Sequence, residues 1–250
     1  MKKIKLLGLV GFVLFFATWE LVTKLGMVSS LFLPPIENVA IAMYNAFSTG
    51  EILPHIQYSL MNFVIGAVIA IALALPIGFI IGWNKFCYAM FDPLVSVLFA
   101  IPLIVLLPVI VMVMGIGSES KIFLTFLGAF FPLLINVITG TRAAEENLIE
   151  MSRAFGANTF QIFRTIILPG SFPHIVSGLR VGLTRALMFI IISEQFGSPM
   201  GLGFLVQTYS NWLRMADAFA AVVIIVVIAL ILSETLKRLE SRLRAWRISP

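Results

Sequence analysis

Apolar residues in this chain come in long unbroken runs, and six of the runs are long enough to cross a lipid bilayer. A helix rises about 1.5 Å per residue, so about 20 apolar residues cover a hydrocarbon core about 30 Å thick. The runs fall at about residues 6–22, 60–83, 93–114, 122–141, 175–196 and 216–236. Two stretches depart from this pattern. Residues 36–47 place Val39, Ala40, Met43 and Phe47 at helical spacing, and Ser48-Thr49-Gly50 follows, which predicts a helix lying in the membrane interface. Residues 142–173 are too long and too patterned for a plain connector. In that loop Leu148, Met151, Ser152 and Phe155 share one face, and Gly156 interrupts the run where a helix C-cap would fall. Asn158 or Thr159 can cap a second helix carrying Phe160, Phe163, Ile166 and Ile167 on one face, which Pro169 is expected to end. The loop reads either as a collar on the membrane surface or as a docking knob.

The chain therefore divides into an N-terminal transmembrane helix at 1–29, an extracytoplasmic interfacial segment at 30–58 and a five-helix core at 59–236 that includes the loop at 142–173. A basic cytoplasmic tail at 237–250 completes it. The fold class is all-α polytopic membrane protein with six transmembrane helices.

Composition removes the alternatives. Of the 250 residues, 60% are hydrophobic and only 12% are charged, where soluble domains carry roughly 25% charge. A mean hydropathy of +1.05 leaves too little polar surface for a soluble enzyme and too much apolar surface for a disordered chain. The pI near 9.6 would fit a nucleic-acid binder, but the cations flank apolar runs instead of gathering on one polar domain. Fourteen of the 17 Lys and Arg residues fall on one side of the six crossings, from Lys2, Lys3 and Lys5 through Lys85, Arg142 and Arg153 to the tail. Lys24, Lys121 and Arg214 are left on the other, so both ends are expected inside. Trp19, Trp83, Trp212 and Trp246 fall near span boundaries, where aromatic belts form. The first run also fits a signal peptide, but no small-x-small cleavage site follows it, and a retained helix is expected. The single cysteine, Cys87, reads as a small buried apolar group.

Little in the sequence points to bond-making chemistry. No phosphate-binding G-x-x-x-x-G-K-[ST] loop occurs, so no catalytic residue and no bound cofactor is assigned to this chain. His55 and His174 lie in different compartments and make no metal pair. Polar residues within spans are costly and so become candidates for a path: Asn62, Asn136, Thr139, Arg185, Met188 beside it, and Glu194. Glu194 fits a helix-end carboxylate that reaches water or holds the outer loop, or else a gate or pathway residue. Arg185 fits a cation reaching the cytoplasmic surface or one meeting an anion. Nine residues separate the two, or two and a half turns, which sets them on opposite helix faces. Pro102, Pro108 and Pro132 are expected to kink their helices.

The loop also carries a spaced pattern. Glu150-Met151-Ser152, Gly156 and Ile166-Ile167-Leu168-Pro169 resemble the E-A-A-x3-G-x9-I-x-L-P signature of bacterial ABC importer permeases, with Met151 and Ser152 in place of two alanines. Lys121-Ile122-Phe123, Phe130-Phe131-Pro132, Asn136, Ile101-Pro102, Gly115-Ile116-Gly117, Ser193-Glu194, Gly201-Leu202-Gly203 and Leu243-Arg244-Ala245-Trp246-Arg247 are similar to the nitrate/sulfonate/taurine-type branch. The resemblance covers residues 30 to 247. It implies a type I importer transmembrane domain in a bacterial cytoplasmic (inner) membrane, working as a homodimer with cytoplasmic ABC ATPase subunits and an extracytoplasmic substrate-binding protein. ATP and Mg then belong to the ATPase. Glu150, Met151, Ser152, Arg153, Ala154, Phe155, Gly156, Ala157, Leu168 and Pro169 become the ATPase-coupling residues. The solute is small, anionic or heterocyclic. Gly201-Leu202-Gly203, otherwise a flexible turn, becomes a piece of the outer gate or of a re-entrant segment. An ion-coupled carrier acting alone would want a buried acidic relay, for which only Glu194 offers itself. A structural membrane subunit without a path is the remaining alternative.

Overall fold

The computed structural model describes the backbone of residues 2–144 and 146–245, and the side chains of residues 10–144 and 146–241. Trp246, Arg247 and the side chains of Lys2, Lys3, Lys5, Arg242 and Arg244, all used in the orientation argument, lie outside them. Helices are α1 (Lys2–Lys24), α2 (Ile36–Ser48), α3 (Ile52–Trp83), α4 (Lys85–Ala100), α5 (Leu103–Met114), α6 (Ser118–Arg142), α7 (Glu146–Ala154), α8 (Thr159–Ile162), α9 (Leu168–Gln195), α10 (Leu202–Asn211) and α11 (Met215–Ala245). No strand occurs among the described residues. Among them, four helices are long and apolar enough to span a membrane: Ile52–Trp83, Ser118–Arg142, Thr159–Gln195 and Met215–Ser241. The pair α4 and α5 makes a fifth crossing if it counts as one span.

The core forms where α6 packs between α3 and α9. Ala74, Ile81, Leu133, Val137 and Ile175 bury one cluster, and Phe63, Ala70, Ala129, Ala186 and Ile190 bury another. Lipid is as apolar as leucine, so helices in it associate by close packing at small residues. The glycines here show which way each pair runs. A Cβ at Gly66, Gly78 or Gly82 of α3 would strike Thr125, Val137 or Thr141 of α6 at 2.6–2.8 Å. Partner numbers rise together, so α3 and α6 are parallel. Gly178 meets Asn136 and Gly182 meets Ala129, numbers moving in opposite senses, so α9 is antiparallel to α6. Two parallel neighbours require a return crossing between them, and α4 with α5 supplies it. Ser118 at the start of α6 donates to Tyr58 near the start of α3 at 3.2 Å. At the other end Arg142 lies over the Tyr88 ring of α4, 3.7 Å from its centroid. Gly182→Ala is expected to destabilise the bundle by about 1–3 kcal/mol, because its Cβ would meet the backbone oxygen of Ala129 at 2.8 Å. An unchanged unfolding midpoint of the purified protein would contradict this packing.

Two expectations need correcting. The third run, expected as one span at 93–114, is two helices at 89°, broken at Ile101 and Pro102. Pro102 has no N–H and disfavours helical geometry at the residue before it, and Ile101 is accordingly extended, with φ −69° and ψ 123°. Pro108 and Pro132, by contrast, stay inside continuous helices. Pro169 does not end the second loop helix. A π-helical turn, Phe163–Ile167, joins α8 to α9 and carries the chain past the proline. The wider turn also rotates the apolar stripe, so Ile162 and Ile167 are buried while Phe160 is 69% exposed. Finally, α2 buries Val39 and Ala42 against Ala220 of α11, with Met43 beside them, and leaves Phe47 exposed. This packs the helix expected in the interface onto the flank of the bundle. Trp19 of α1 fastens the same corner, donating to the Pro34 carbonyl at 3.0 Å and packing on Phe219.

Candidate functional site

The elbow between α6 and α9 is built to project. Helix α7 ends in a Schellman arrangement: Ala157 N–H donates to the Ser152 carbonyl at 3.0 Å and Gly156 N–H to Arg153 at 2.9 Å. That closure needs a left-handed residue, and Gly156 has φ +83°. Asn158 then opens α8 with a capping box, its Oδ1 accepting from Gln161 N–H at 2.9 Å and its own N–H donating to Gln161 Oε1 at 2.8 Å. The base is anchored by buried Ile162 and by Phe163 edge-on to Phe79 of α3 at 5.1 Å. Beyond the base no described residue is fully buried. Helix α7 has no buried residue, and Phe155 at the tip is 85% exposed. All ten coupling candidates, from Glu150 through Ala157 and then Leu168 and Pro169, are exposed or half-buried. Lys85 and Glu146 pair across the foot of the elbow at 3.3 Å.

The break between α4 and α5 opens a cleft of about 390 Å³ against α6 and α9. Arg185 and Met188 line it together with Pro132. The exposed Arg185 places its guanidinium over the Phe99 ring, 5.0 Å from its centroid. Asn136 stands one turn below Pro132, whose carbonyl accepts from its Nδ2 at 2.8 Å, and Thr139 is exposed one turn further on.

Asn62 and Glu194 are not among the cleft's lining residues. Asn62 is buried on α3, one turn from Ser59, and its Nδ2 has no hydrogen-bond partner among the described residues. Glu194 is fully buried at the C-terminal end of α9 and holds the start of α10. Its Oε2 accepts from Gly203 N–H at 2.9 Å, and Ser59 Oγ donates to both carboxylate oxygens at 2.7 and 2.9 Å. Ser59 in turn accepts from Leu202 N–H at 2.9 Å. Helix α10 thus has its first N–H groups satisfied from α3 and α9, as a helix N-terminus requires. Gly201, at φ +118°, wraps the carboxyl so closely that a Cβ would lie 2.3 Å from Glu194 Cδ. His55 Nδ1 accepts from Gly201 N–H at 3.1 Å, and its ring stacks on Phe204. The fully buried Lys121 donates to the Ile116 carbonyl at 2.8 Å and adds an electrostatic attraction to Glu194.

Sequence reasoning missed Ser59, His55 and Lys121 as one group with Glu194. The available signal was a lysine inside the first turn of an apolar helix, where a surface charge has no reason to lie. As expected from their spacing, Arg185 and Glu194 point to different surroundings.

A helical membrane core, an uncovered elbow at one end and a cleft at a helix break define a multi-pass transport subunit. Residues 74–245 match the family described as binding-protein-dependent transport system inner membrane component, and the chain belongs to that family. It is similar to the taurine transport system permease protein TauC of Escherichia coli, 30% identical over 91% of this chain and 85% of that one. It is also similar to the nitrate import permease protein NrtB of a Synechocystis strain, 28% identical over 73% and 66% of the two chains. The fold matches a chain of the MetNI methionine ABC transporter solved in inward facing conformations, with TM-score 0.67, 19% identity and coverage of 77% and 95%. The chain is accordingly a permease component of the ABC importer family, of the nitrate/sulfonate/taurine type.

Proposed function

We propose that two copies of this chain line the path by which a small anionic or heterocyclic solute enters a bacterium across its cytoplasmic membrane. An extracytoplasmic binding protein delivers the solute, and separate cytoplasmic ATPase subunits holding ATP and Mg supply the energy. The observation that carries this reading is the elbow, whose aromatic tip stands clear of the chain's own core although its base is firmly anchored. An exposed Phe155 at the end of a capped, rigid hairpin is what a partner's cleft would grip.

The mechanism is alternating access. Nucleotide binding closes the ATPases, drawing the elbows together. Helix α9, continuous with α8 through the π-helical turn, transmits that motion to the cleft and to the outer end at Glu194. Hydrolysis and product release return the path to the inside. Six crossings with both ends in the cytoplasm fit this arrangement. Helix α1 is 23 residues long, and its Trp19 end lies against Phe219 near the start of α11. The positive charges favour the cytoplasm for the Lys2 end.

Crosslinking of the purified complex tests the stoichiometry. Two permease copies with two ATPase subunits are expected, and a single permease copy per complex would overturn the homodimer.

A further inference from the structure

The broken span is packed far more loosely than its neighbours. Helix α4 buries only Val95 and α5 only Leu107, whereas α3, α6 and α9 bury residues along their whole lengths. Both ends of α4 are joints. Asn84, extended at φ −94° and ψ 116°, is the single residue between α3 and α4, and Ile101 and Pro102 separate α4 from α5 at 89°. One end of α4 is held at the base of the elbow. The exposed Arg142, last residue of α6, places its guanidinium 3.7 Å from the centroid of the Tyr88 ring, and Tyr88 also packs on the buried cluster of Ala74, Leu133 and Val137. Lys85 and Glu146 pair nearby at 3.3 Å, but with side chains 89% and 76% exposed they add little. At the other end Leu98, Phe99 and Ala100 line the cleft, with Arg185 over Phe99. Helix α5 is fastened elsewhere. The Ile116 carbonyl, just beyond its end, accepts from buried Lys121 at 2.8 Å, and a Cβ at Gly197, after α9, would meet Ile116 Cγ2 at 3.3 Å.

We infer that α4 is a strut swinging between Asn84 and the Ile101–Pro102 break, and that Tyr88 and Arg142 are the positioning residues through which the elbow moves it. Helix α5 stays with the opposite end of the bundle. The inference rests on the permease reading above and adds a second route to the one along α9. Arg142 closes α6 where the elbow begins, so a shift of the elbow base moves its guanidinium, and the Tyr88 ring lies in its way. The strut resists little, because one buried side chain gives it few close-packed contacts to break. The geometry also amplifies. Tyr88 lies about 6 Å from the Asn84 joint and Phe99 about 22 Å at 1.5 Å rise per residue, so the cleft end travels about four times as far as the driven point. Phe99 then slides against Arg185 and the cleft wall moves with it. An exposed cation–π contact shifts an equilibrium by about two- to fivefold, so its loss weakens the response without unfolding the bundle.

The test uses the assembled complex in lipid nanodiscs, with Cys87→Ser removing the native thiol beside Tyr88. Single cysteines are placed at Leu98, on the cleft wall of α4, and at Ile116, 57% exposed beyond α5. Their reaction rates with a small water-soluble methanethiosulfonate are compared without nucleotide and with a non-hydrolysable ATP analogue and Mg. The analogue is expected to change the rate at position 98 about tenfold and that at position 116 less than about twofold. Tyr88→Leu and Arg142→Gln are each expected to cut the response at 98 by about three- to fivefold, with ATPase copurification and unfolding midpoint as in the wild type. Tyr88→Phe, which keeps a ring, should keep the full response, and Arg142→Lys part of it. Arg142 is exposed, so Arg142→Gln reads the coupling even where Tyr88→Leu disturbs packing. An undiminished response in Arg142→Gln, equal responses at 98 and 116, or Tyr88→Phe as impaired as Tyr88→Leu would overturn the inference. If the ATPase is retained and position 98 does not respond in the otherwise native chain, the strut alone falls; if no ATPase is retained, the permease reading falls and the strut with it.

Discussion

Glu194→Ala is expected to unfasten the end of the bundle where α9 meets α10, lowering stability by about 3–5 kcal/mol and exposing α10 to solvent. The carboxylate is fully buried and accepts from Gly203 N–H and from the Ser59 hydroxyl. Removing it leaves those donors facing an apolar interior, and each unsatisfied buried group costs about 1–3 kcal/mol, with a cavity cost added. Gly203→Ala should reproduce the defect by a different route, since its Cβ would fall 2.1 Å from the Ile191 carbonyl and 2.9 Å from Glu194 Cβ. Glu194→Gln keeps the shape and one acceptor oxygen, so it should rank between wild type and Glu194→Ala. The measurements are the unfolding midpoint in detergent and the rate at which a thiol introduced at Gln207, which is exposed on α10, or at buried Leu205 reacts with maleimide. Labelling at residue 205 should accelerate while that at 207 stays fast. If Glu194→Ala retains wild-type stability and protection at 205 but stops uptake, the carboxylate belongs to the path and not to a clasp.

The second large effect concerns the opposite end. Gly156→Pro is expected to abolish uptake and ATPase association while leaving the membrane bundle intact. Proline fixes φ near −65°, whereas Gly156 sits at +83°, and it deletes the N–H that donates to Arg153. The Schellman closure cannot form, and α7 loses its angle to α8. The damage stays local because no atom lies within 4 Å of a Cβ at this position and α7 buries nothing in the core. Gly156→Asp should act similarly with less distortion, Asp tolerating left-handed geometry better than most residues while placing a charge at the tip. Expression and unfolding midpoint equal to wild type, with ATPase lost on purification, is the expected result. Normal uptake and ATPase retention in both variants would contradict the coupling role.

Much of this architecture is legible in the sequence because lipid imposes a simple length requirement and few charges are available to obscure it. The elbow is legible for a local reason: Gly156, Asn158 and Gln161 encode a C-cap and a capping box within six residues. The break at Ile101 and Pro102 is not, since Pro108 and Pro132 sit in comparable apolar runs and leave their helices continuous. Which proline breaks a span depends on whether neighbouring helices leave room for a turn, a tertiary matter. The same holds for Pro169, where a π-helical turn absorbs what the residue alone would interrupt. The clasp was hidden most completely. Ser59, Glu194 and Gly203 come from three helices, and their meeting depends on α3 and α9 converging where α10 begins. Charge counting assigned Lys121 to the outer surface; its burial follows from a carbonyl, that of Ile116, which no side-chain pattern advertises.

The docking role of the elbow can be tested at its tip. A photoactivatable benzoylphenylalanine placed at Phe155, 85% exposed, is compared with one at Met112, also 85% exposed but on the apolar face of α5. On irradiation of membranes containing the full complex, a covalent adduct with the cytoplasmic ATPase is expected from position 155 and none from position 112. Adducts with lipid alone from position 155, or equal ATPase adducts from both positions, would contradict the assignment of this elbow as the surface on which the ATPase pushes.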